Sequence, residues 1–418
     1  MRILVYPHAM EIGGSQLNAI ELAAGVRDRG HDVSVTSGPG PLVDVVRALG
    51  LVHIPLPPGS PLSMRMRRHL VSTTDKHKID IVHGYEWPPA IALYFGPHLM
   101  RQVPAVCTVM SMAVASFIPS RLPLIVGTED IKRRACLAGH TSVTLLEPPV
   151  DTNANAPGFD GSTFRTAHSL DPDKLLIVVV GRLSKQLKLE GLLSACDAIG
   201  AMAADGIKIQ LVVVGDGDAR DQVAERASRA NSLAGERTVT LIGSKSDPRP
   251  AYAAADVLLG MGGSALRGMA FGKPLIVQGE LGFWRLCTPE SATQFLKAGW
   301  YGLGDLNAPV DEQGLALGAA LLRAELEPLV ADVAYRNRLG AFGRQLVVER
   351  FSIARAAALQ EEIYMEVLRT KASPRSMDVL TSAAGVIAHT LRRRLQRWIG
   401  TATSEDFNSV ALQKTLSS

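Results

Sequence analysis

Two cations and three glycine turns carry the chemistry that can be read from this chain. Arg182 and Lys188 stand at the two ends of Arg182-Leu183-Ser184-Lys185-Gln186-Leu187-Lys188, just after Val180-Gly181. The apolar run before them, residues 175–180, reads as a buried parallel strand, and residues 189–204 after them read as a helix. Arg182 therefore falls where a strand ends and Lys188 where a helix begins, which is where open α/β sheets hold their ligands. A helix N-terminus attracts anions, and two cations beside one suit a diphosphate. Taken alone, a strand ending in Gly-Arg is common and reads as ordinary surface charge.

The glycine turns each follow a strand-like run. Gly13-Gly14-Ser15 opens the first helix, Gly215-Asp216-Gly217 follows residues 211–214, and Gly262-Gly263-Ser264 precedes a helix over 265–271. Glycine lets backbone N–H groups approach an anion with no side chain in the way. Gly215 to Gly217 by themselves read as a structural turn. They lack the complete GxGxxG pattern and the downstream acidic residue of a dinucleotide site, which argues against a nicotinamide oxidoreductase.

The elements that must position these residues alternate along the chain. Strands are expected at 3–6, 32–36, 53–56, 79–84, 105–110, 124–127 and 142–146, with helices between them such as 15–29 and 128–138, the latter capped by Thr128. Glu147-Pro148-Pro149-Val150-Asp151 and the polar residues up to Gly161 read as a linker. The alternation restarts with strands at 175–180, 207–214, 238–242, 257–260 and 275–277, and 315–368 is helical with few breakers. This is an α/β chain of two parallel-sheet units, as 418 residues would suggest.

Composition narrows the function classes. A net charge of +4 without interleaved aromatic and basic residues does not suit nucleic acid. The four cysteines, Cys107, Cys136, Cys196 and Cys287, form no CxxC pair, so zinc and a disulfide framework are not indicated. A reducing cytoplasm and no signal peptide are expected. Residues 102–120 lack formal charge, but Pro104, Pro119, Thr108, Ser111 and Ser116 favour a strand and a loop over a membrane span.

Together the stretches resemble a retaining GT-B glycosyltransferase of the family-4 type. They are Gly13-Gly14, Gly30-His31-Asp32-Val33, Val180-Gly181-Arg182-Leu183 with Lys188, Val213-Val214-Gly215-Asp216-Gly217, Ala253-Ala254-Ala255-Asp256-Val257, Gly268-Met269-Ala270-Phe271-Gly272-Lys273-Pro274 and Glu349-Arg350-Phe351-Ser352. The resemblance spans about residues 1–368. It implies two Rossmann-like domains facing a central cleft: an acceptor domain over 1–160, a nucleotide-sugar donor domain over 161–350, a helix over 351–369 crossing back to the first domain, and an added tail over 370–418. It implies that Arg182 and Lys188 bind the diphosphate of the donor. Gly13, Gly14, Gly215, Gly243, Gly263 and Ser264 are expected at the donor, and His8, His83 and Tyr85 at the acceptor. It implies a nucleotide sugar as substrate, with no cofactor and no metal.

Two departures from the family pattern stand out. A pair of glutamates is expected in the second domain; the second falls on Arg267, and the first in a shortened loop near Leu259. Arginine cannot accept the hydrogen bonds of a ribose, but it can bind phosphate or pair with Glu280. The family's Thr-x-His is Thr108-Val109-Met110 here, which leaves His83 as the nearest replacement near the reacting sugar or, equally, as a core histidine. These departures keep a second class open: a non-catalytic GT-B module that binds a ligand or partner.

Two segments suggest a surface beyond the active site. Met64-Arg65-Met66-Arg67-Arg68-His69-Leu70 mixes cations with apolar residues on an expected helix. Leu380, Ala384, Ile387, Leu391, Leu395 and Trp398 recur on one face of a helix over 376–400, with Arg392, Arg393, Arg394 and Arg397 near its end. Such a stripe is expected to bury itself on the protein body, with an anionic membrane surface as the alternative.

Overall fold

The structure is a computed structural model, and it describes residues 1–11, 13–305, 311–370 and 376–399. The chain forms two units. One takes Met1–Pro149 with the helices from Ile353 onward, and the other takes Val150–Ser352.

The first unit is built on seven strands: β1 (Arg2–Tyr6), β2 (Asp32–Ser37), β3 (Val52–Pro55), β4 (Ile81–Tyr85), β5 (Ala105–Val109), β6 (Leu124–Val126) and β7 (Val143–Leu145). They lie in the order β3-β2-β1-β4-β5-β6-β7, and every pair is parallel. Successive side chains point to opposite faces, and here both faces are dry. Ile3, Val5, Val35, Ile81 and Tyr85 pack with the helices Gly14–Arg27 and Ile353–Thr370. Leu4, Val82, Cys107 and Leu124 pack with Met64–His77 and Trp87–Leu93. That two-sided burial is why these strands read as unbroken apolar runs.

The second unit repeats the plan with β8 (Leu175–Val180), β9 (Ile209–Val214), β10 (Val239–Leu241), β11 (Val257–Gly260), β12 (Leu275–Gln278) and β13 (Trp284–Leu286), ordered β10-β9-β8-β11-β12-β13. All pairs are parallel except β12 with β13. Strand β13 is absent from the sequence reading, because three residues are too few to show a period. In each sheet the chain order reverses beside the first strand, between β1 and β4 and between β8 and β11. Loops leaving the sheet diverge there and leave room for a ligand.

The helices follow the sequence closely where capping is clear. Leu189–Ala204 begins after Lys188, and Glu129–Leu137 begins after Thr128, whose hydroxyl accepts from Ile131 N at 3.2 Å. Gly262–Ala270 starts earlier than expected. The long helical stretch resolves into Glu312–Ala331, Val333–Phe351 and Ile353–Thr370. Asp332 ends the first and caps the second, accepting from Tyr335 N at 2.9 Å. Ser352 breaks the next by pairing with Val150 as a β-bridge.

Residues 150–160, expected as linker and first-domain tail, pack with the second unit. The Arg344 guanidinium donates to the carbonyls of Thr152, Asn155 and Ala270 at 2.8–2.9 Å, which ties the segment to the helix bundle. Among the described residues no helix is long and apolar enough to cross a membrane.

The tail does form a helix, Ser376–Trp398, but with the opposite face inward. Ser382 and Val386 are buried, whereas Leu380, Ile387, Leu391, Leu395 and Trp398 are 56–85 % exposed. The expected burial of the apolar stripe on the body is thus corrected. Small residues allow the close approach instead: a Cβ on Gly385 would meet the Phe117 Cβ at 2.6 Å.

Tight helix contacts make a direct test of this packing. A Cβ on Gly200 would lie 2.7 Å from the Ala230 Cβ and 2.9 Å from its Cα. Gly200→Val is expected to destabilise the second unit by ~1–3 kcal/mol through overpacking, read as a lower denaturant midpoint. An unchanged midpoint would contradict the contact between Leu189–Ala204 and Arg220–Ala234.

Candidate functional site

In the second unit, the loop after β8 carries the two cations to one recess. Gly181, Arg182, Leu183, Lys188, Gly260, Met261, Ser264 and Gln278 line it at the β8/β11 reversal. Arg182 is exposed, at the mouth of this recess. Lys188 is the N-cap residue of Leu189–Ala204, and its ammonium folds back over Gly181, where a Cβ would meet Nζ at 2.6 Å. The turn between them passes through Leu187 at φ 72°, left-handed backbone that a leucine rarely adopts. Gln278 holds the end of the loop by donating its amide Nε2 to the Lys188 carbonyl at 3.1 Å.

The Gly215-Asp216-Gly217 turn supports Arg182 from beneath. Both glycines have φ near +154°, at +153° and +155°. A Cβ on Gly215 would overlap the Gly181 carbonyl oxygen, and one on Gly217 would overlap that of Leu183. The glycines are there for backbone-on-backbone contact. Gly243 lies behind them, its carbonyl accepting from Gly215 N at 2.9 Å.

A helix N-terminus completes the recess. Gly262–Ala270 starts beside β11, and Gly263 and Ser264 sit in its first turn, where N–H groups have no intrahelical acceptor. The Ser264 hydroxyl donates to the Met261 carbonyl at 2.9 Å. Arg267 lies one turn on, yet its guanidinium reaches back: Nη1 would be 3.5 Å from a Cβ on Gly263. A third cation thus stands at the same helix end. Glu280, after β12, accepts from the Tyr301 hydroxyl. Burial, with the Glu280 carboxylate beside it, holds the Tyr301 phenol protonated far above its usual range.

Sequence reasoning missed Glu190, which fixes this side of the site. Its carboxylate accepts from Leu281 N at 2.9 Å and from Gly282 N. Leu281 is held at φ 57°, so the carboxylate stabilises an unfavourable turn next to Glu280. The sequence signal was only an acidic residue in a first helical turn.

In the first unit, Gly13 caps the helix Gly14–Arg27 at the β1/β4 reversal. His8, in the preceding loop, is exposed and has Nε2 3.1 Å from the Gln16 amide nitrogen. His83 and Tyr85 are placed differently from the expectation. Both are buried inside the unit and shielded from solvent. His83 Nδ1 lies 2.7 Å from the Tyr364 hydroxyl and Nε2 lies 2.6 Å from Thr108 Oγ1, so both ring nitrogens are occupied. The assignment of His83 to the reacting sugar is corrected to that of a core histidine. The reason is register: β4 continues through Tyr85, paired with Thr108, so position 83 is interior.

The residue that does emerge at the end of β4 is Glu86, also missed. It adopts φ 65°, unusual for a glutamate. Its carboxylate accepts from Met110 N at 2.9 Å, from Ser111 N at 3.1 Å and from Ser111 Oγ at 2.8 Å, and Ser15 Oγ lies 3.3 Å away. Glu86 thereby joins the loop after β5 to the first turn of Gly14–Arg27. Among the described residues no cluster of His, Cys, Asp or Glu is placed to hold a metal ion.

His83 gives a pH prediction. Burial lowers its pKa from 6.5 to about 3. As pH falls below 6.5 the unfolded chain takes the proton first, so the native state loses stability between 6.5 and about 3 and has its full share above 6.5. The imidazole nitrogen resonances of His83 are expected to stay those of a neutral ring at pH 5. Titration near the usual histidine range would overturn the buried placement.

Comparison with known proteins bears on the whole chain. The sequence profile of Glycosyltransferase Family 4 matches residues 12–135, and that of Glycosyl transferases group 1 matches residues 174–295. No curated relative matches in sequence. Among solved structures, Anabaena Alr3699/HepE in complex with UDP superposes with TM-score 0.66 at 16 % identity, covering 88 % of this chain and 100 % of that one. Sucrose-phosphate synthase from Thermosynechococcus elongatus gives the same TM-score, identity and coverage, 0.66, 16 %, 88 % and 100 %. The lipopolysaccharide outer core galactosyltransferase WaaB gives 0.56 at 12 %, covering 88 % and 99 %. With one profile matched over residues 12–135, the other over 174–295, and a fold shared along 88 % of the chain, the chain belongs to the GT-B glycosyltransferases of the family-4 type.

Proposed function

We propose that the protein moves a sugar from a nucleoside diphosphate sugar to an acceptor hydroxyl, with retention of configuration and without a metal. The observation that carries this reading is the recess at the β8/β11 reversal, where Arg182, Lys188 and the first turn of Gly262–Ala270 converge. Bond breaking between the anomeric carbon and the diphosphate oxygen leaves negative charge on the phosphate. Arg182 and Lys188 neutralise that charge as it grows, the work a divalent cation does in other transferases. The acceptor oxygen attacks from the side the diphosphate leaves, and its proton passes to the departing phosphate oxygen. The first unit supplies the acceptor site, with His8 and the loop joined by Glu86 at the β1/β4 reversal, while its Gly13-Gly14 turn serves the donor phosphates.

UDP complexes of Alr3699/HepE, including one with UDP-glucose, support a uridine nucleotide as the first donor to test. A panel of UDP-, GDP-, ADP- and dTDP-sugars read by thermal shift identifies the base, since a ligand at a hundredfold its Kd adds about 2.7 kcal/mol of stability. Arg182→Ala and Lys188→Ala are each expected to cut turnover by ~10²-fold or more with the fold intact. Turnover near that of the parent protein in both variants would overturn the donor site. The anomeric configuration of the product, read by NMR, tests retention.

Arg267 favours a second reading, a module that binds but does not transfer, since an arginine stands where the family pattern has a glutamate. Its guanidinium at the Gly263 end of the helix suits a phosphate contact. If that contact supports transfer, Arg267→Glu weakens donor affinity by placing a carboxylate beside the diphosphate. Tighter binding in the Arg267→Glu variant would instead mark the native arginine as a loss and favour the binding module.

A further inference from the structure

We propose that the outward face of the helix Ser376–Trp398 is a docking surface for an anionic lipid bilayer. The helix is held to the first unit by its small and polar side. Gly385 sits on Phe117, and the His389 ring lies 5.2 Å from both Trp87 and Phe117. Ser382 and Val386 are buried on the same side, and Ser120 Oγ lies 3.5 Å from the Asp378 carboxylate. The anchoring therefore uses Val379 and Val386 but none of the helix's leucines, nor Ile387 or Trp398. Leu380, Ile387, Leu391, Leu395 and Trp398 form a continuous exposed row, with Trp398 85 % exposed at its end. A soluble helix turns such a row inward. One that turns it outward, from a firm attachment on its other side, presents it to an apolar partner.

The charges choose the partner. From Val379 to Ile399 the sequence has Arg392, Arg393, Arg394 and Arg397 and no Asp or Glu. Arg392 and Arg394 are exposed beside the apolar row. A second copy of this helix docked in parallel on the row would bring arginines against arginines. Lipid phosphates neutralise them while the acyl region takes the leucines, and an exposed tryptophan suits the boundary between the two. The helix lies on the bilayer, since no described helix has the length and apolarity to cross one. A second exposed cluster of the same kind, Met64 with Arg65 and Arg68, lies on Met64–His77. That helix also packs around the Tyr94–His98 turn, with Arg67 over Phe95 at 5.2 Å, and the Asp378 charge acts on Tyr94.

The test uses the full chain with vesicles of phosphatidylglycerol in phosphatidylcholine and with phosphatidylcholine alone. Cosedimentation is expected with the anionic vesicles and expected to weaken as salt rises. Leu391→Asp with Leu395→Asp changes exposed positions only; it is expected to lower vesicle affinity by ~100-fold or more, as two leucines leave the acyl region. Arg392→Gln with Arg394→Gln is expected to cost roughly fivefold for each arginine on anionic vesicles. Circular dichroism and melting temperature confirm that the variants fold. Absence of binding to anionic vesicles at low salt, or equal binding by the aspartate variant, would overturn the proposal. So would a concentration-dependent dimer in ultracentrifugation that the aspartate variant loses, since the row would then belong to a second copy. Nucleotide binding by thermal shift in the same variants is expected to be unchanged, which separates this surface from the donor site.

Discussion

The second unit is organised around a contact between two pieces of backbone. Strands β8 and β9 pair up to Val180 and Val214, and their continuations stay bonded after the sheet ends. Gly181 N donates to the Val214 carbonyl at 3.0 Å, Leu183 N to that of Asp216 at 2.9 Å, and Ala219 N to that of Leu183 at 3.0 Å. The contact is close enough that Gly215 and Gly217 must lack a Cβ. Arg182 is thereby fixed at its backbone while its guanidinium stays at the surface. Lys188 is fixed as an N-cap residue with its carbonyl bonded to Gln278. In the proposed transfer reaction, charge held in place before a ligand arrives needs little reorganisation when the transition state forms.

The same contact explains what the sequence made legible. Arg182 and Lys188 were readable because their placement is local: an apolar run, a glycine and a helix start occur in order along a short stretch. The strands were readable because burial on both faces removes polar residues from them. Glu86 and Glu190 were hidden because their partners, Ser111 and Leu281, lie far along the chain. His83 was misplaced by the end of one strand: the apolar pattern stops at Gly84, whereas pairing runs on to Tyr85. Strand β13 was hidden by its length and by its antiparallel direction in an otherwise parallel sheet.

Glu86 and Glu190 show one solution used twice. Each carboxylate accepts backbone N–H groups from a loop beside a topological reversal, and each is coupled to a residue with positive φ, Glu86 itself and Leu281. Charge-assisted bonds to N–H groups are strong enough to hold backbone that would otherwise relax. A polar loop cannot be anchored by apolar packing, since its own groups face water. A buried or half-buried carboxylate from a neighbouring helix start does that anchoring. The glycines contribute closeness, and the glutamates contribute rigidity.

The C-terminal helix follows a different rule, and it marks the limit of periodicity as a guide. A recurring apolar row identifies a helix and identifies one face of it, but says nothing about which face meets the protein. That choice is made by shape. Gly385 and Ser382 let the backbone approach Phe117 and the aromatic cluster around Trp87, and His389 fills the space between the two rings. Leucines at those positions would hold the helix away from the unit. The small face wins the contact because it brings more atoms within reach, and the large apolar face is left outward as a consequence. Its arginines then decide what can cover it: with no acidic residue among positions 379–399, the surface complements an anionic partner.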